Sequence, residues 1–350
     1  MRSRRASQAR HLAGMIAVLG LLCSFQAAPA SASRQGVAPD ACVEKGTIRA
    51  AQLPARVSSK TCDLVGRYVE SGTVRLQVPL PGEGVGAAAV GRSGESELVI
   101  ITDPNGDVLI NEGGEEASAL VMTTPPMEPC DRYGVDGCLA PCADDNFNTY
   151  SMNPKVKAKQ PWFFKASSTP ASMTAAESLT AIKAGTRNIV TGNNDCQLPD
   201  PLSQTAPYKG ATTRGTGISV AGTGSSRTNM CGRANGVNVV DFGSLAGELG
   251  LTCWRIRMNT IDFRYYIVEA DIRLMKSAPW TLSPNDPACS NRFDLQGLVT
   301  HERGHAFGLD HADSGRDAHS HQTMYVAPYP CSSYWRTLGL GDHSGLAFLY

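Results

Sequence analysis

HERGHAFGLDH, residues 301–311, sets three histidines, a glutamate and two glycines within eleven positions of a 350-residue chain that has seven histidines, six of them in its last fifty residues. Four residues advance an α-helix by about 400°, so His301 and His305 leave one face about 6 Å apart along the axis, and their imidazoles can converge on one ion. A helix that simply continued would carry His311 about 9 Å past His305 and aim it to another side. Gly308 resolves this. A residue without a β-carbon takes the left-handed conformation that ends helices, and the chain can then fold back to bring His311 to the other two. The stretch predicts a helix that stops at Gly308 and three imidazoles on one metal ion.

Three neutral imidazoles leave a tetrahedral Zn2+ one open position for water, the arrangement of a catalytic rather than a closed structural site. Such a water has its pKa lowered to about 7, and the metal also polarises a carbonyl. Glu302, next to the first ligand and offset around the helix, can reach that water as general base without binding the metal, then pass the proton to a leaving amine. These residue types at this spacing point to amide hydrolysis at a single zinc ion.

The stretch resembles the metzincin zinc signature, His-Glu-x-x-His-x-x-Gly-x-x-His, at all five fixed positions, and Met324 in HQTMY stands thirteen residues after His311, where metzincins have their Met-turn. LGLGDHSGLAFLY (338–350) resembles the C-terminal helix of matrixins, and ASSTPASMTAAESLTAIKAG (166–185) resembles the first helix of secreted bacterial matrixin-like peptidases. The resemblance covers residues 143–350. It implies that His301, His305 and His311 bind zinc, that Glu302 is the catalytic acid/base, and that Met324 is a floor beneath the metal. It also implies that the strand at 265–275 is the sheet edge along which substrate adds, or one strand inward from it. Two features depart from the family. The matrixin calcium-binding segments are not recognisable, so a structural Ca2+ has no support. Cys130 lacks the flanking arginine and glycine of the matrixin propeptide switch, with Pro129 and Asp131 in their places.

Residues 1–32 read as a secretory signal peptide. Arg2, Arg4, Arg5 and Arg10 precede an apolar run from Leu12 to Leu22 that is too short to span a bilayer, and Ala30-Ser31-Ala32 offers a small-x-small cleavage site. Apart from Cys23 in that leader there are ten cysteines, an even number suited to disulfides in an oxidising, extracellular setting. Cys42 with Cys62 and Cys130 with Cys138 are the local pairs, while Cys142, Cys196, Cys231, Cys253, Cys289 and Cys331 leave their connectivity open. Charge balances at 32 basic and 32 acidic residues with no long block of one sign, so nothing calls for a nucleic-acid or membrane partner. A protein or peptide substrate is the expected partner, and oligomeric state has no signal.

The expected fold class is α+β in two domains. Residues 33–125 form a small β-rich module in which TVRLQVPL, GVGAAAVG and SELVIITDPNGDVLI alternate β-branched runs with glycine-rich turns. Asn105-Gly106 is read as the tight turn of a hairpin joining Leu98–Ile101 to Val108–Ile110. An EF-hand is rejected there, because Val108 and Gly114 stand where it needs glycine and glutamate. A Pro- and Cys-rich linker, 126–142, leads to a metzincin-like catalytic domain, 143–350, of a twisted mixed sheet with a few helices. Its expected elements are a strand at 162–165, a helix opened by the capping box Thr174/Glu177 with Leu179, Ile182, Ile189 and Val190 inward, a strand at 237–242, and a helix N-capped by Asp294 that runs into the histidine stretch. In YYIVEADIRLM (265–275), Val268, Ala270, Ile272 and Leu274 alternate with Glu269, Asp271 and Arg273, the period of a half-buried strand with Asp271 outward. His319, His321 and His343 read as solvated or loop histidines, and Tyr325 as a packing residue.

These expectations describe a secreted zinc endopeptidase. One rival is a zinc amidase or peptidase acting on cell-wall peptide crosslinks, since zinc, water and glutamate hydrolyse any amide. The other is an adhesive or inhibitory β-module whose attached peptidase activity is incidental.

Overall fold

A large mixed sheet carries most of the chain. In the computed structural model, residues 46–91, 94–113, 139–312 and 319–350 are described, together with Cys42. The leader, the Cys130–Cys138 pair and most of the 126–142 stretch lie outside the described residues. In chain order the sheet's strands are β1 (Arg56–Val57), β2 (Glu83–Gly91), β3 (Gly94–Thr102), β4 (Val108–Asn111), β5 (Lys155–Val156), β6 (Trp162–Phe164), β7 (Tyr208–Ala211), β8 (Asn238–Gly243), β9 (Glu248–Met258) and β10 (Tyr265–Met275). Across the sheet they run β7-β6-β8-β10-β9-β2-β3-β4-β1, with β5 paired to one end of β10. Pairing is parallel from β7 to β10 and antiparallel from β10 to β1. With three α-helices among the described residues, the class is α+β, as expected.

The β-rich stretch expected at 33–125 shares this sheet with the residues after 143. β2 is antiparallel to β9 from Glu83 opposite Arg257 to Gly91 opposite Glu248. A second sheet also mixes the two parts: Val74–Gln77 lies parallel to Thr228–Met230. Residues 36–350 accordingly form one compact unit. One core cluster joins Val69, Val74, Leu76, Val85, Ala87, Leu98 and Ile100 to Leu251 and Cys253.

GVGAAAVG is not a turn but the body of β2. Gly84 and Gly86 face Ile256 and Trp254 across the ladder, and a β-carbon on Gly86 would run into the Trp254 indole. Small residues here let two strands lie flush over a buried tryptophan. The Asn105-Gly106 hairpin turn is present, with Gly106 at φ +90° and β3 paired to β4. The Asp103 and Asp107 carboxylates accept from Arg56 at 2.7 and 3.1 Å.

The first helix, α1 (Ala175–Val190), has the expected capping box: Thr174 Oγ1 accepts from the Glu177 amide, and the Thr174 amide donates to Glu177 Oε2. It buries Ile182 and Ile189 and packs on the second helix, α2 (Leu295–Ala306), at Gly185. A β-carbon at Gly185 would lie 2.7 Å from the Gln296 carbonyl. The third helix, α3 (Leu340–Leu349), closes the chain.

Strand β10 corrects two expectations. It lies between β8 and β9, so it is neither the sheet edge nor one strand inward. Its register jumps from Glu269 opposite Arg255 to Ile267 opposite Ile256, which leaves Val268 on a bulge and exposed. Asp271 does not point outward to solvent: it is buried, and its Oδ1 accepts from the Val239 amide at 2.7 Å. Among the described residues four disulfides are formed, Cys42–Cys62, Cys142–Cys196, Cys231–Cys253 and Cys289–Cys331, which fits an oxidising environment. Among the described residues no helix is long and apolar enough to cross a membrane.

Candidate metal centre

Helix α2 is built to hold its histidines rigidly. Asp294 caps its N-terminus by accepting from the Gly297 amide at 2.9 Å, and Arg336 grips the same carboxylate twice at 2.7 Å. On the side toward α1, Arg303 is fully buried, donates to Thr186 Oγ1 and lies 4.9 Å over the Trp162 ring. The helix stops at Phe307. Gly308 follows with φ +101°, and a β-carbon there would strike the Pro154 carbonyl oxygen. The chain then pairs Leu309–Asp310 with Asn148–Thr149 and delivers His311 back to the helix.

His301, His305 and His311 meet as their spacing predicts. Their Nε2 atoms are 3.0, 3.1 and 3.2 Å apart, and all three rings are buried. The opposite ring nitrogens fix the tautomers. His301 Nδ1–H donates to the Thr323 carbonyl at 2.7 Å, and His305 Nδ1–H to the Leu309 carbonyl at 3.0 Å, with the Tyr150 hydroxyl 2.6 Å from the same nitrogen. His311 Nδ1 faces the carboxylates of Glu95, in direct contact, and Glu97, at 3.4 Å. A carbonyl or carboxylate only accepts, so each Nδ1 carries a proton, and in the neutral ring Nε2 presents a bare lone pair. Three lone pairs aimed at one another repel unless a cation lies among them. Bonds of about 2.0–2.1 Å at tetrahedral angles would place donors about 3.3 Å apart, close to the separations found. The triad can hold a metal ion.

Electrostatics agree for two of the three. Burial holds His301 and His305 well below the usual histidine range, which keeps them neutral. Burial also pulls His311 down, but the carboxylates of Glu95 and Glu97 outweigh it and set it well above that range, so His311 gives up its Nε2 proton only to a cation that displaces it. Glu302 is fully buried beside the triad. Its Oε2 accepts from Thr252 Oγ1 at 2.5 Å, while Oε1 has no hydrogen-bond partner among the described residues. Burial pushes this carboxyl up to about 8. A β-carbon at Gly250 would strike Oε1, so that glycine keeps space for the carboxylate.

Met324 is buried against α2, where a β-carbon on Gly304 would meet its sulfur. Its loop is pinned by Asp342 of α3, whose carboxylate accepts from the amides of Thr323, Met324 and Gly339 at 2.7–2.9 Å. Tyr325 packs in the core, as expected. His319 and His321 are loop histidines and His343 lies on α3, and each has a protein partner: His319 sits 2.9 Å from Asp144, His321 Nδ1 donates to the Leu139 carbonyl, and His343 Nε2 to the Pro199 carbonyl. None joins a cluster of metal-ligand atoms among the described residues.

Sequence reasoning missed Glu95, Glu97, Tyr150, Thr252 and Trp335, whose indole stacks on His301 at 4.4 Å. No spacing rule connects them to the triad, because the sheet and the loops bring them there. No family model matches the chain, and no curated protein matches it.

Proposed function

We propose that this chain is a secreted zinc endopeptidase, similar to the matrixin-type metzincins, with Glu302 as its acid/base. The observation that carries the reading is the convergence of three histidine Nε2 atoms beside a buried glutamate with one free oxygen. The turn at Gly308 and the buried methionine under α2 support the family likeness. The imidazole set suits zinc, with no carboxylate in it. Zinc, when bound, supplies a Lewis acid that polarises the scissile carbonyl and acidifies a water.

The chain's own residues do the rest. Glu302 takes the proton of the attacking water at Oε1 and returns it to the leaving nitrogen, while Thr252 fixes the carboxylate through Oε2. The carbonyls of Thr323 and Leu309 hold His301 and His305 in the tautomer that frees Nε2. Four disulfides support life outside the cell. The test is metal content together with casein cleavage. Wild type retains one zinc after dialysis and releases casein fragments, phenanthroline stops the release and added zinc restores it. Glu302→Ala keeps the zinc and releases none. Cleavage of peptidoglycan without casein would favour the cell-wall rival.

A further inference from the structure

Behind the third imidazole of the triad, on its Nδ1 side, three carboxyl groups crowd together. Glu95 and Glu97 stand two positions apart on β3, so both side chains leave one face of the sheet, toward His311. Asp310 comes from the segment paired with Asn148–Thr149, and its carboxyl is within hydrogen-bond reach of Glu97. Ligand atoms of Glu95, Glu97 and His311 all lie within 4.8 Å of one another. One N–H cannot serve them all. His311 Nδ1 touches Glu95, and Glu97 is left 3.4 Å away. Glu97 is only 2% exposed, and among the described residues neither of its oxygens has a hydrogen-bond partner. Nor does any lysine or arginine among those residues form an ion pair with Glu95, Glu97 or Asp310. Gly113 lies against the Glu97 carboxylate, where a β-carbon would collide with it, so that glycine keeps room for the group.

A buried carboxylate without a donor is costly unless a cation coordinates it. The triad binds its metal through Nε2, on the other side of the His311 ring. We propose a second cation site here: Glu95, Glu97 and Asp310 hold a hard divalent cation, Ca2+ first among them, on the Nδ1 side of His311. Oxygen donors of this kind select such an ion over zinc. Bonds of about 2.3–2.6 Å let two oxygens on one Ca2+ stand up to about 5 Å apart, and the 4.8 Å span fits within that. His311 Nδ1–H stays on Glu95, so the imidazole lies between the two ions without bridging them as a ligand. The second ion ties β3 to the turn that returns His311. No calcium-loop spacing marks this site in the sequence, because its donors come from residues 95–97 and 310 and only the fold brings them together.

The zinc-loaded full chain is equilibrated with millimolar CaCl2 and its metals are counted. Tb3+, a luminescent stand-in for Ca2+, reports the place, because a nearby aromatic ring sensitises it. Tyr150, stacked on Trp254, lies close enough to feel the charges of Glu97, Asp310 and Glu95. Wild type should hold one Ca2+ beside its zinc, and bound Tb3+ should luminesce and be displaced by Ca2+. Glu97→Gln and Asp310→Asn each remove a charged donor, so each should weaken Ca2+ and Tb3+ binding about tenfold or more, with zinc content unchanged. Asp103→Asn, in the turn clamped by Arg56, should change neither. Wild type that takes up neither ion overturns the site, and Glu97 and Asp310 then share a proton instead. Full Ca2+ and Tb3+ binding in both carboxylate variants overturns it too, since the ion would sit elsewhere. So does a fall in Ca2+ that in both variants only accompanies loss of zinc, which would make the carboxylates supports of His311 alone. Calcium bound at these residues by a chain that takes up no zinc leaves the second site standing and sinks the zinc reading of the triad.

Discussion

The eleven residues 301–311 and the twenty residues 83–102 meet at His311, yet they were written in different languages. In the first, every functional placement is local: helical pitch pairs His301 with His305, and Gly308 at φ +101° turns the chain so that His311 returns. In the second, function depends on what lies alongside. Gly84, Gly86 and Ala88 are small because Ile256, Trp254 and the Thr252–Glu302 pair lie against them, more than 150 residues away in the chain. Local geometry can be read from a sequence; a cross-strand neighbour cannot.

The largest effect expected from breaking the local half is catalytic. Glu302→Ala removes the proposed acid/base and leaves the three imidazoles, so casein hydrolysis should drop by about 10²–10⁴-fold, the usual worth of a positioned general acid/base, with zinc content unchanged. His311→Ala should instead lose zinc on dialysis, and His319→Ala should keep it. Equal zinc loss in the two histidine variants would mean that the return of the chain at Gly308 does not build the third ligand. Next in size is Gly308→Ala. A side chain in that left-handed conformation costs about 1–3 kcal/mol, and the contact with the Pro154 carbonyl adds to it, so both thermal stability and zinc retention should fall. A variant as stable as wild type would show that the turn tolerates other residues.

These two halves also account for what could be foreseen. The capping boxes and caps at Thr174 and Asp294, the Asn105-Gly106 hairpin and the histidine triad were legible because each is set by neighbours within a few residues. GVGAAAVG read as a glycine-rich turn because glycine in a strand is costly in isolation. Only the Trp254 ring across the ladder shows why it is there. Likewise the alternation of 265–275 placed Ala270, Ile272 and Leu274 correctly and failed at Val268, where a bulge set by pairing with β9 shifts the phase by one residue. Glu95 and Glu97 carry no local signal of a site, and the fold turns their face of β3 toward His311.

Gly86→Ala sharpens the comparison from the hairpin's side. The new β-carbon meets the Trp254 indole, which is fully buried and stacked on Tyr150 at 4.2 Å, so it cannot simply swing away. Overpacking of this kind costs about 1–3 kcal/mol, and it should appear as a lower melting temperature with faster amide exchange in β2. Gly106→Ala, in the β3–β4 turn where the new β-carbon meets Ser59, should leave exchange in β2 untouched. If the two variants exchange alike, β2 does not depend on its fit over Trp254.

Asp271 offers the smallest effect and the most direct view of nonlocal burial. Burial, with Glu269 and Asp241 nearby, pushes its carboxyl from 3.8 up to about 8, against the Val239 amide and the Arg255 charge, which lower it. The folded pKa is the higher one, so below about pH 4 both folded and unfolded chains hold the proton and the shift costs nothing. As pH rises from about 4 to about 8 the unfolded chain ionises first, and stability falls through that window before levelling off. Asp271→Asn keeps an acceptor for Val239 and has no proton to lose. It should therefore match wild type near pH 4 and exceed it by on the order of 1 kcal/mol at pH 8, below the full linkage value because Arg255 and local relaxation soften the buried charge. Thermal melts of both proteins across that range decide the matter. Parallel curves would mean that Asp271 is ionised throughout and that its pocket, for all its burial, is polar enough to keep it so.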